Sequence, residues 1–198
     1  LTKIYASAIH GVSAQTITIE VNVDTSGVGY HVVGLPDSAI KESSYRISAA
    51  LKNVGYKIPG KKITINLAPA DIRKEGTAYD LSIALGILVS SDYIKGENIG
   101  DYLIMGELSL DGGLMPIKGV LPIAIKAREE GFKGIILPKQ NVREAAIVDQ
   151  LEVYGVENIK EVIDFFNEGI PLPQTKIDTR KEFQDKINFF PFDFSEVK

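Results

Sequence analysis

The chain has no cysteine among its 198 residues. Disulfides, thiolate nucleophiles and cysteine-ligated metals are therefore excluded, and this composition fits a reducing cytoplasm. No apolar run reaches the ~20 residues that a membrane-spanning helix requires. The N-terminus also lacks the charged-then-apolar layout of a signal peptide. We therefore expect a soluble, cytoplasmic protein.

The chain also has no excess of basic over acidic residues. The net charge of −4 and the isoelectric point near 5.3 argue against a dedicated nucleic-acid module with a strongly basic face. A local basic patch remains open, because only the field near a ligand matters. With 44% hydrophobic residues, the chain is long enough for one well-buried domain with an appendage.

Hydrophobic periodicity predicts an alternation of strands and helices. Residues 15–24 alternate apolar and polar side chains, which is typical of a half-buried strand. Residues 4–9 and 30–33 are predicted to be its neighbours, and further strands are predicted at residues 63–68, 102–105, 134–137 and 152–156. Helices are predicted at residues 37–54, 78–91, 120–130, 142–148 and 159–167. An early meander followed by βαβ units predicts an α+β fold, a mixed sheet with packed helices.

The composition changes after Glu168. Residues 169–176 break the pattern, residues 178–186 are highly charged, and an aromatic cluster follows at residues 189–194. The sequence therefore predicts a domain over residues 1–168 and a linker over residues 169–198 that leads into an absent module.

Two weak motifs favour structural roles over chemistry. Residues 55–62 nearly match a phosphate loop, but Lys62 replaces the magnesium-binding hydroxyl and Pro59 removes a backbone N–H. The segment also precedes a strand instead of a helix. The two histidines, His10 and His31, lack the spacing of a helical zinc site, so no metal site is predicted.

The loop at residues 73–77, Arg-Lys-Glu-Gly-Thr, is the candidate binding segment. It precedes a predicted helix N-terminus, where unpaired N–H groups and the helix dipole favour an anion. Arg73 and Lys74, together with Lys61 and Lys62, are therefore candidates to contact DNA phosphates or a carboxylate on a partner. The alternative is a solvated loop in which Glu75 neutralises one charge.

Residues 73–80, followed by GELSLDGGLMPIKG at residues 106–119, resemble the proteolytic domain of Lon proteases. There the turn is Lys-Asp-Gly-Pro-Ser-Ala-Gly, with the serine as nucleophile, and a lysine on the helix after the second segment completes the dyad. On that pattern the nucleophile position holds Ala78, and residues 120–125 carry no lysine. The resemblance implies the Lon fold, a ribosomal-protein-type βαβ superfold, without catalytic residues. The alternative is a divergent Lon-like serine peptidase with a relocated nucleophile, Ser82, acting with Lys118 or Lys126.

Four longer segments resemble the N-terminal region of the ComM or YifB family of magnesium chelatase-like AAA+ ATPases. They are IYASAIHG at residues 4–11, VVGLPDSAIKES at 32–43, ITINLAPADIRKEG at 63–76 and GELSLDG at 106–112, and residues 193–198 resemble the opening of the AAA+ module. The resemblance implies a homohexameric DNA helicase that promotes branch migration during natural transformation and recombination. By analogy with RadA, this segment would build the ring and guide DNA, binding it weakly at best. ATP and Mg²⁺ are expected in the missing AAA+ module, and no cofactor is expected in this segment.

Overall fold

A computed structural model describes residues 1–178 of the protein. Its strands are β1 (Thr2–His10), β2 (Ser13–Asp24), β3 (Gly29–Val33), β4 (Lys62–Ala68), β5 (Tyr102–Ile104), β6 (Glu107–Leu108), β7 (Leu114–Met115), β8 (Gly134–Pro138), β9 (Glu152–Val156) and β10 (Gln174–Thr175). Its helices are α1 (Ser38–Lys41), α2 (Ser43–Asn53), α3 (Asp80–Ser90), α4 (Val120–Glu129), α5 (Val142–Ala145) and α6 (Ile159–Glu168).

In this part of the chain the main sheet is mixed and has the order β10-β9-β8-β5-β1-β2-β4-β3. Strands β1, β2 and β4 form an antiparallel meander, whereas β5, β8 and β9 run parallel to β1. The predicted mixed sheet with packed helices is confirmed. The placement of residues 30–33 beside β2 is wrong: β4 occupies that edge of β2, and β3 pairs in parallel with β4 instead.

Alternation along the strands places helices on both faces of the sheet. On one face, helix α3 packs closely on β2, because the helix has a glycine, Gly86, where a Cβ would lie 2.5 Å from the Cγ2 of Val21. On the opposite face, the ring of Tyr5 meets Phe132 edge-on, just after α4. The α3 face is a continuous layer of buried aliphatic side chains that includes Ile4, Ile19 and Ile65.

Helix boundaries follow local capping. The predicted cap residue Asp37 accepts the Ile40 N–H at 2.9 Å, which is the usual N-cap contact. The predicted helix over residues 37–54 is divided at Glu42 into α1 and α2. The predicted helix over residues 78–91 begins two residues later, at Asp80.

The first part of the predicted linker packs on the domain. Strand β10 pairs antiparallel with β9, Leu172 is buried, and Ile177 packs against the core. The remainder of the predicted linker, residues 179–198, lies outside the described residues. None of the helices within residues 1–178 has the length and apolarity needed to cross a membrane.

Candidate functional site

A cleft of about 580 Å³ lies where the carboxyl ends of β1 and β5 meet the loop that precedes α3. Residues 7–10 of β1 form one wall, and residues 116–118, before α4, lie near them. Residues 73–79 line the cleft on the α3 side together with Met105 and Glu107. Ligand sites commonly form at the carboxyl ends of parallel strands, where the connecting loops converge.

Ala78, which stands at the nucleophile position of the Lon pattern, lines this cleft. Its carbonyl accepts the Gly106 N–H at 2.8 Å, and the Leu81 N–H donates to the Gly106 carbonyl at 3.0 Å. These two hydrogen bonds fix the start of α3 against the segment after β5. A methyl group has neither a lone pair nor an acidic proton, so this position cannot supply an attacking oxygen.

The start of α3 already carries a negative charge, which belongs to the buried Asp80. Its carboxylate accepts two hydrogen bonds from Arg46, at 2.7 Å from Nε and 2.9 Å from Nη2. Burial raises the pKa of the Asp80 carboxyl, and the Arg46 hydrogen bonds oppose that rise. The Asp80 carboxylate is paired with Arg46 and does not line the cleft, so the anion site expected at this helix end stays a prediction.

The ion pair between Arg46 and Asp80 also orients the cleft wall. Arg46 donates a further hydrogen bond to the Ala39 carbonyl at 2.8 Å, and Asp80 accepts the Leu108 N–H at 3.3 Å. The pair therefore joins α1, α2, α3 and β6. Sequence reasoning missed it because its members are 34 positions apart. The available signal was an aspartate at the head of an otherwise apolar helix, since a buried carboxylate needs a partner.

The charged groups of the cleft differ in how they are partnered. Arg73 and Glu75 form an exposed ion pair with an Nε–Oε1 distance of 2.9 Å. The Thr77 hydroxyl donates to the Glu107 carboxylate. Within residues 1–178, no ion-pair partner is found for Lys118, which is exposed on the wall formed by residues 116–118.

Lys74 is wrong as a candidate for contact with DNA or a partner. Its side chain is fully buried, and its ammonium group donates to the carbonyls of Gly34, at 2.8 Å, and Pro69. Burial lowers the pKa of the Lys74 ammonium. The lysine joins the loop at residues 73–77 to the turn that follows β3, so its role here is structural.

The remaining basic candidates do not form one patch. Lys61 and Lys62 lie at the start of β4, whereas Arg73 lies beyond its end, beside the cleft. A strand of seven residues separates the two ends by about 20 Å. The sequence named these residues as candidates and left open whether they cluster in space; the extended strand between them places them in two separate regions.

Ser82 does not line the cleft. It is fully buried, and its hydroxyl donates to the Ile104 carbonyl. Of its proposed partners, Lys126 pairs with Glu130 at 3.2 Å, and Lys118 lies on the cleft wall. The structure therefore does not support Ser82 as a relocated nucleophile.

The two weak motifs also have definite places in the fold. Residues 55–61 connect α2 to β4, the reverse of the strand–loop–helix order of a phosphate loop. His10 lines the cleft at the end of β1, and His31 lies on β3, with β2 and β4 between these strands. Among the described residues, no group of three or more histidine, cysteine, aspartate or glutamate side chains is placed to hold a metal ion.

Comparison of the amino-acid sequence with known proteins identifies relatives of this chain. Residues 19–141 match the sequence profile of the family described as subunit ChlI of Mg-chelatase. Competence protein ComM of Haemophilus influenzae is 39% identical over 173 residues, covering 87% of this chain and 34% of that protein. The uncharacterized protein YifB of Escherichia coli is 40% identical over 149 residues, covering 75% of this chain and 29% of that protein.

The Lon resemblance is found in the same comparison. Lon protease 2 of Bacillus subtilis is 31% identical over 153 residues, covering 76% of this chain and 26% of that protein. The chain spans about a third or less of the length of these curated relatives. The fold expected from the Lon pattern is therefore consistent with both the sheet topology and the relatives.

Proposed function

This chain belongs to the family described as subunit ChlI of Mg-chelatase, with ComM and YifB among its relatives, and on that premise we propose that it is the non-catalytic, Lon-like N-terminal domain of a ComM-like AAA+ ATPase. In this proposal the whole protein is a cytoplasmic homohexamer that moves DNA branches during transformation and recombination. Residues 1–178 serve ring assembly and DNA guidance. ATP and Mg²⁺ bind in an AAA+ module outside this chain.

One observation carries the loss of peptidase chemistry. Ala78 lines the cleft at the nucleophile position of the Lon pattern, and the serine one turn further along is buried and donates its hydroxyl to a main-chain carbonyl. Serine catalysis needs a serine hydroxyl that is exposed to the substrate and lies within hydrogen-bond reach of a base. The position of Ser82 weakens the alternative proposal of a divergent serine peptidase for the same reason.

A chemical test separates these two proposals. The chain is incubated with a fluorophosphonate probe that reacts with activated serines, and the products are resolved by mass spectrometry. We expect no labelling of the wild-type chain. Labelling that disappears in Ser82→Ala would contradict the non-catalytic proposal and support the peptidase.

The assembly and DNA roles are tested on the full-length protein, with and without residues 1–178. We expect the deletion to lower the hexamer fraction in analytical ultracentrifugation and to slow migration of a synthetic Holliday junction. A protein that assembles and moves junctions equally well without these residues would contradict the assigned roles.

Direct contact with DNA is tested on this chain with a fluorescein-labelled duplex. We expect a dissociation constant no tighter than about 10⁻⁶ M at physiological salt, which weakens as salt rises because phosphate contacts release counterions. Because the basic residues lie at two separate ends of β4, Lys61→Glu/Lys62→Glu and Arg73→Glu are measured separately, with Lys95→Glu as a matched control. Salt-insensitive, nanomolar binding would contradict the proposal.

A further inference from the structure

Strand β3 forms one outer edge of the main sheet. Among the described strands it pairs only with β4, along its whole length from Gly29 to Val33. None of its five residues is buried. Exposed apolar side chains continue this edge at both ends of the strand, with Val28 82% and Leu35 54% exposed. The side of β3 that faces away from β4 is therefore open and bordered by apolar surface.

The open edge of β3 lacks the features that usually prevent pairing between proteins. Sheet edges are commonly protected by very short strands, prolines or charged side chains. The opposite edge of this sheet has such features, because β10 is two residues long, follows Pro173 and precedes Lys176. From Thr25 to Pro36, by contrast, the chain has no aspartate, glutamate, lysine or arginine, and no proline lies within β3. An uncharged edge rich in valine and tyrosine favours the addition of another strand.

The hydrogen bonds of β3 decide which of its residues can receive a new strand. The Gly29 N–H donates to the Lys61 carbonyl at 3.3 Å, so the main-chain groups of Gly29 face β4. Because these groups alternate between the two sides of a strand, those of Tyr30 and Val32 face outward. The ring of His31 lies over Gly29, since a Cβ there would be 2.7 Å from its Nε2. This side chain therefore lies along its own strand instead of across the edge.

We propose that β3 pairs antiparallel with β3 of a second copy of this chain, about a twofold axis at His31. In this register Tyr30 of each copy exchanges main-chain hydrogen bonds with Val32 of the other, and the two His31 residues lie directly opposite each other. The Tyr30 hydroxyl lies 3.3 Å from that of Ser43 on α2, so Tyr30 and Val32 project on the α2 side of the sheet. There they form an aromatic–β-branched pair across the strands, which stabilises antiparallel pairing.

The charges around β3 suit a second copy of the same chain. A strand that pairs with itself brings identical side chains together, so a charged strand would meet its own charge, and like charges opposite each other are destabilising. Lys62 lies opposite Gly29 on β4, at the start of β3, so the antiparallel arrangement keeps the Lys62 residues of the two copies at opposite ends. The contact is isologous, whereas a ring uses heterologous contacts. It therefore goes beyond the proposed ring assembly and would join copies that belong to different rings.

A disulfide cross-link tests the register. The chain has no cysteine, so His31→Cys introduces a single thiol. Residues opposite each other in a non-hydrogen-bonded antiparallel pair have Cα atoms about 4.5 Å apart, which is within the range that a disulfide spans. With copper phenanthroline as the oxidant, we expect covalent dimers of His31→Cys to form at least about tenfold faster than those of Gln140→Cys, because pairing raises the local thiol concentration. Gln140 is the control, an exposed residue outside β3.

Sedimentation equilibrium tests the association without a cross-link. We expect a reversible dimer with a dissociation constant of about 10–100 µM, since a single short strand pair forms a small interface. Val32→Pro should weaken it at least about tenfold, because proline removes the outward N–H donor and no hydrogen bond to β4. His31→Lys and His31→Glu should each weaken the dimer, and their equimolar mixture should restore it, because opposite charges then face each other. The same substitutions at Gln140 should have no effect, and circular dichroism verifies the fold of each variant.

The outcomes separate this inference from the proposed ring. A wild-type chain that stays monomeric at about 1 mM, or dimers that persist unchanged in Val32→Pro, would overturn the inference. So would a His31→Cys cross-link that forms no faster than the Gln140→Cys control. In the full-length protein, Val32→Pro should leave the hexamer fraction unchanged and remove only larger assemblies. Loss of hexamers in this variant would assign β3 to the ring contact and overturn the twofold register, while ring assembly itself would stand.

Discussion

Replacement of Arg46 by methionine removes the charge that faces Asp80 while keeping most of the aliphatic stem. Asp80 is 1% exposed as a side chain and Arg46 is 20% exposed, so water cannot replace the lost partner. Breaking such a buried pair by removing one member costs about 3–5 kcal/mol, because a charge is left buried and uncompensated. We expect the unfolding free energy of Arg46→Met to fall by this amount at neutral pH.

The pH dependence gives this prediction a distinctive sign. Burial raises the pKa of Asp80, and Arg46 opposes the rise, so removal of Arg46 should raise this pKa further. A carboxyl whose folded pKa lies above its unfolded value stabilises the fold below the unfolded pKa and loses that contribution as the pH rises through the folded pKa. The deficit of Arg46→Met relative to wild type should therefore grow as the pH rises from below the ordinary carboxyl pKa to neutral and alkaline values.

Urea unfolding followed by circular dichroism measures both effects. With a slope of about 2 kcal/mol per molar, the midpoint should fall by about 2 M at neutral pH. The double variant Arg46→Met/Asp80→Asn is the matched control, and it should recover part of the loss because no charge remains buried. A loss below about 1 kcal/mol, or a loss that does not change with pH, would refute the reasoning about a desolvated pair.

Two further predictions concern the loops that support the cleft. Lys74→Met should lower the unfolding free energy by about 1–3 kcal/mol, because two main-chain carbonyls lose their donor. Burial lowers the pKa of Lys74 below its ordinary 10.5. The unfolding free energy of the wild type should therefore rise as the pH approaches 10.5, because the unfolded state binds more protons than the folded state. Urea unfolding from about pH 7 to about pH 10 should show this rise in the wild type and not in Lys74→Met. Gly34→Ala should lower the melting temperature more than Gly55→Ala. Both glycines have positive φ, +96° and +93°, but only at Gly34 would a Cβ overlap the Leu67 carbonyl; equal shifts would contradict this explanation.

Hydrophobic periodicity alone located most elements of this fold. The alternating side chains of β2 can bury one face only as a strand, and residues 152–156 were predicted with the bounds that β9 has. The cap at Asp37 was also local, since a carboxylate reaches the N–H three residues on. Short elements such as β10 are not predicted, because two residues are too few to show an alternation of apolar and polar side chains.

The candidate basic residues show where local reasoning failed. Lys74 and Arg73 are adjacent in sequence, yet one is buried against carbonyls and the other is exposed in an ion pair. Their exposure depends on how the turn after β3 folds over the loop, which is a contact between distant residues. Lys61 and Lys62 look close to that loop in sequence, but the extended strand between them sets the distance.

The sequence by itself determined that Ala78 brings no attacking oxygen, because a methyl group has the same chemistry in any fold. It also determined the order of strands and helices, since periodicity is a local property of the chain. The tertiary structure alone decided that Asp80 faces Arg46, that the Ser82 hydroxyl donates to a carbonyl, and that, among the described strands, only β2 pairs with the last residues of β1. These features depend on burial and on which strand ends first, and both are set by contacts between residues far apart in the chain.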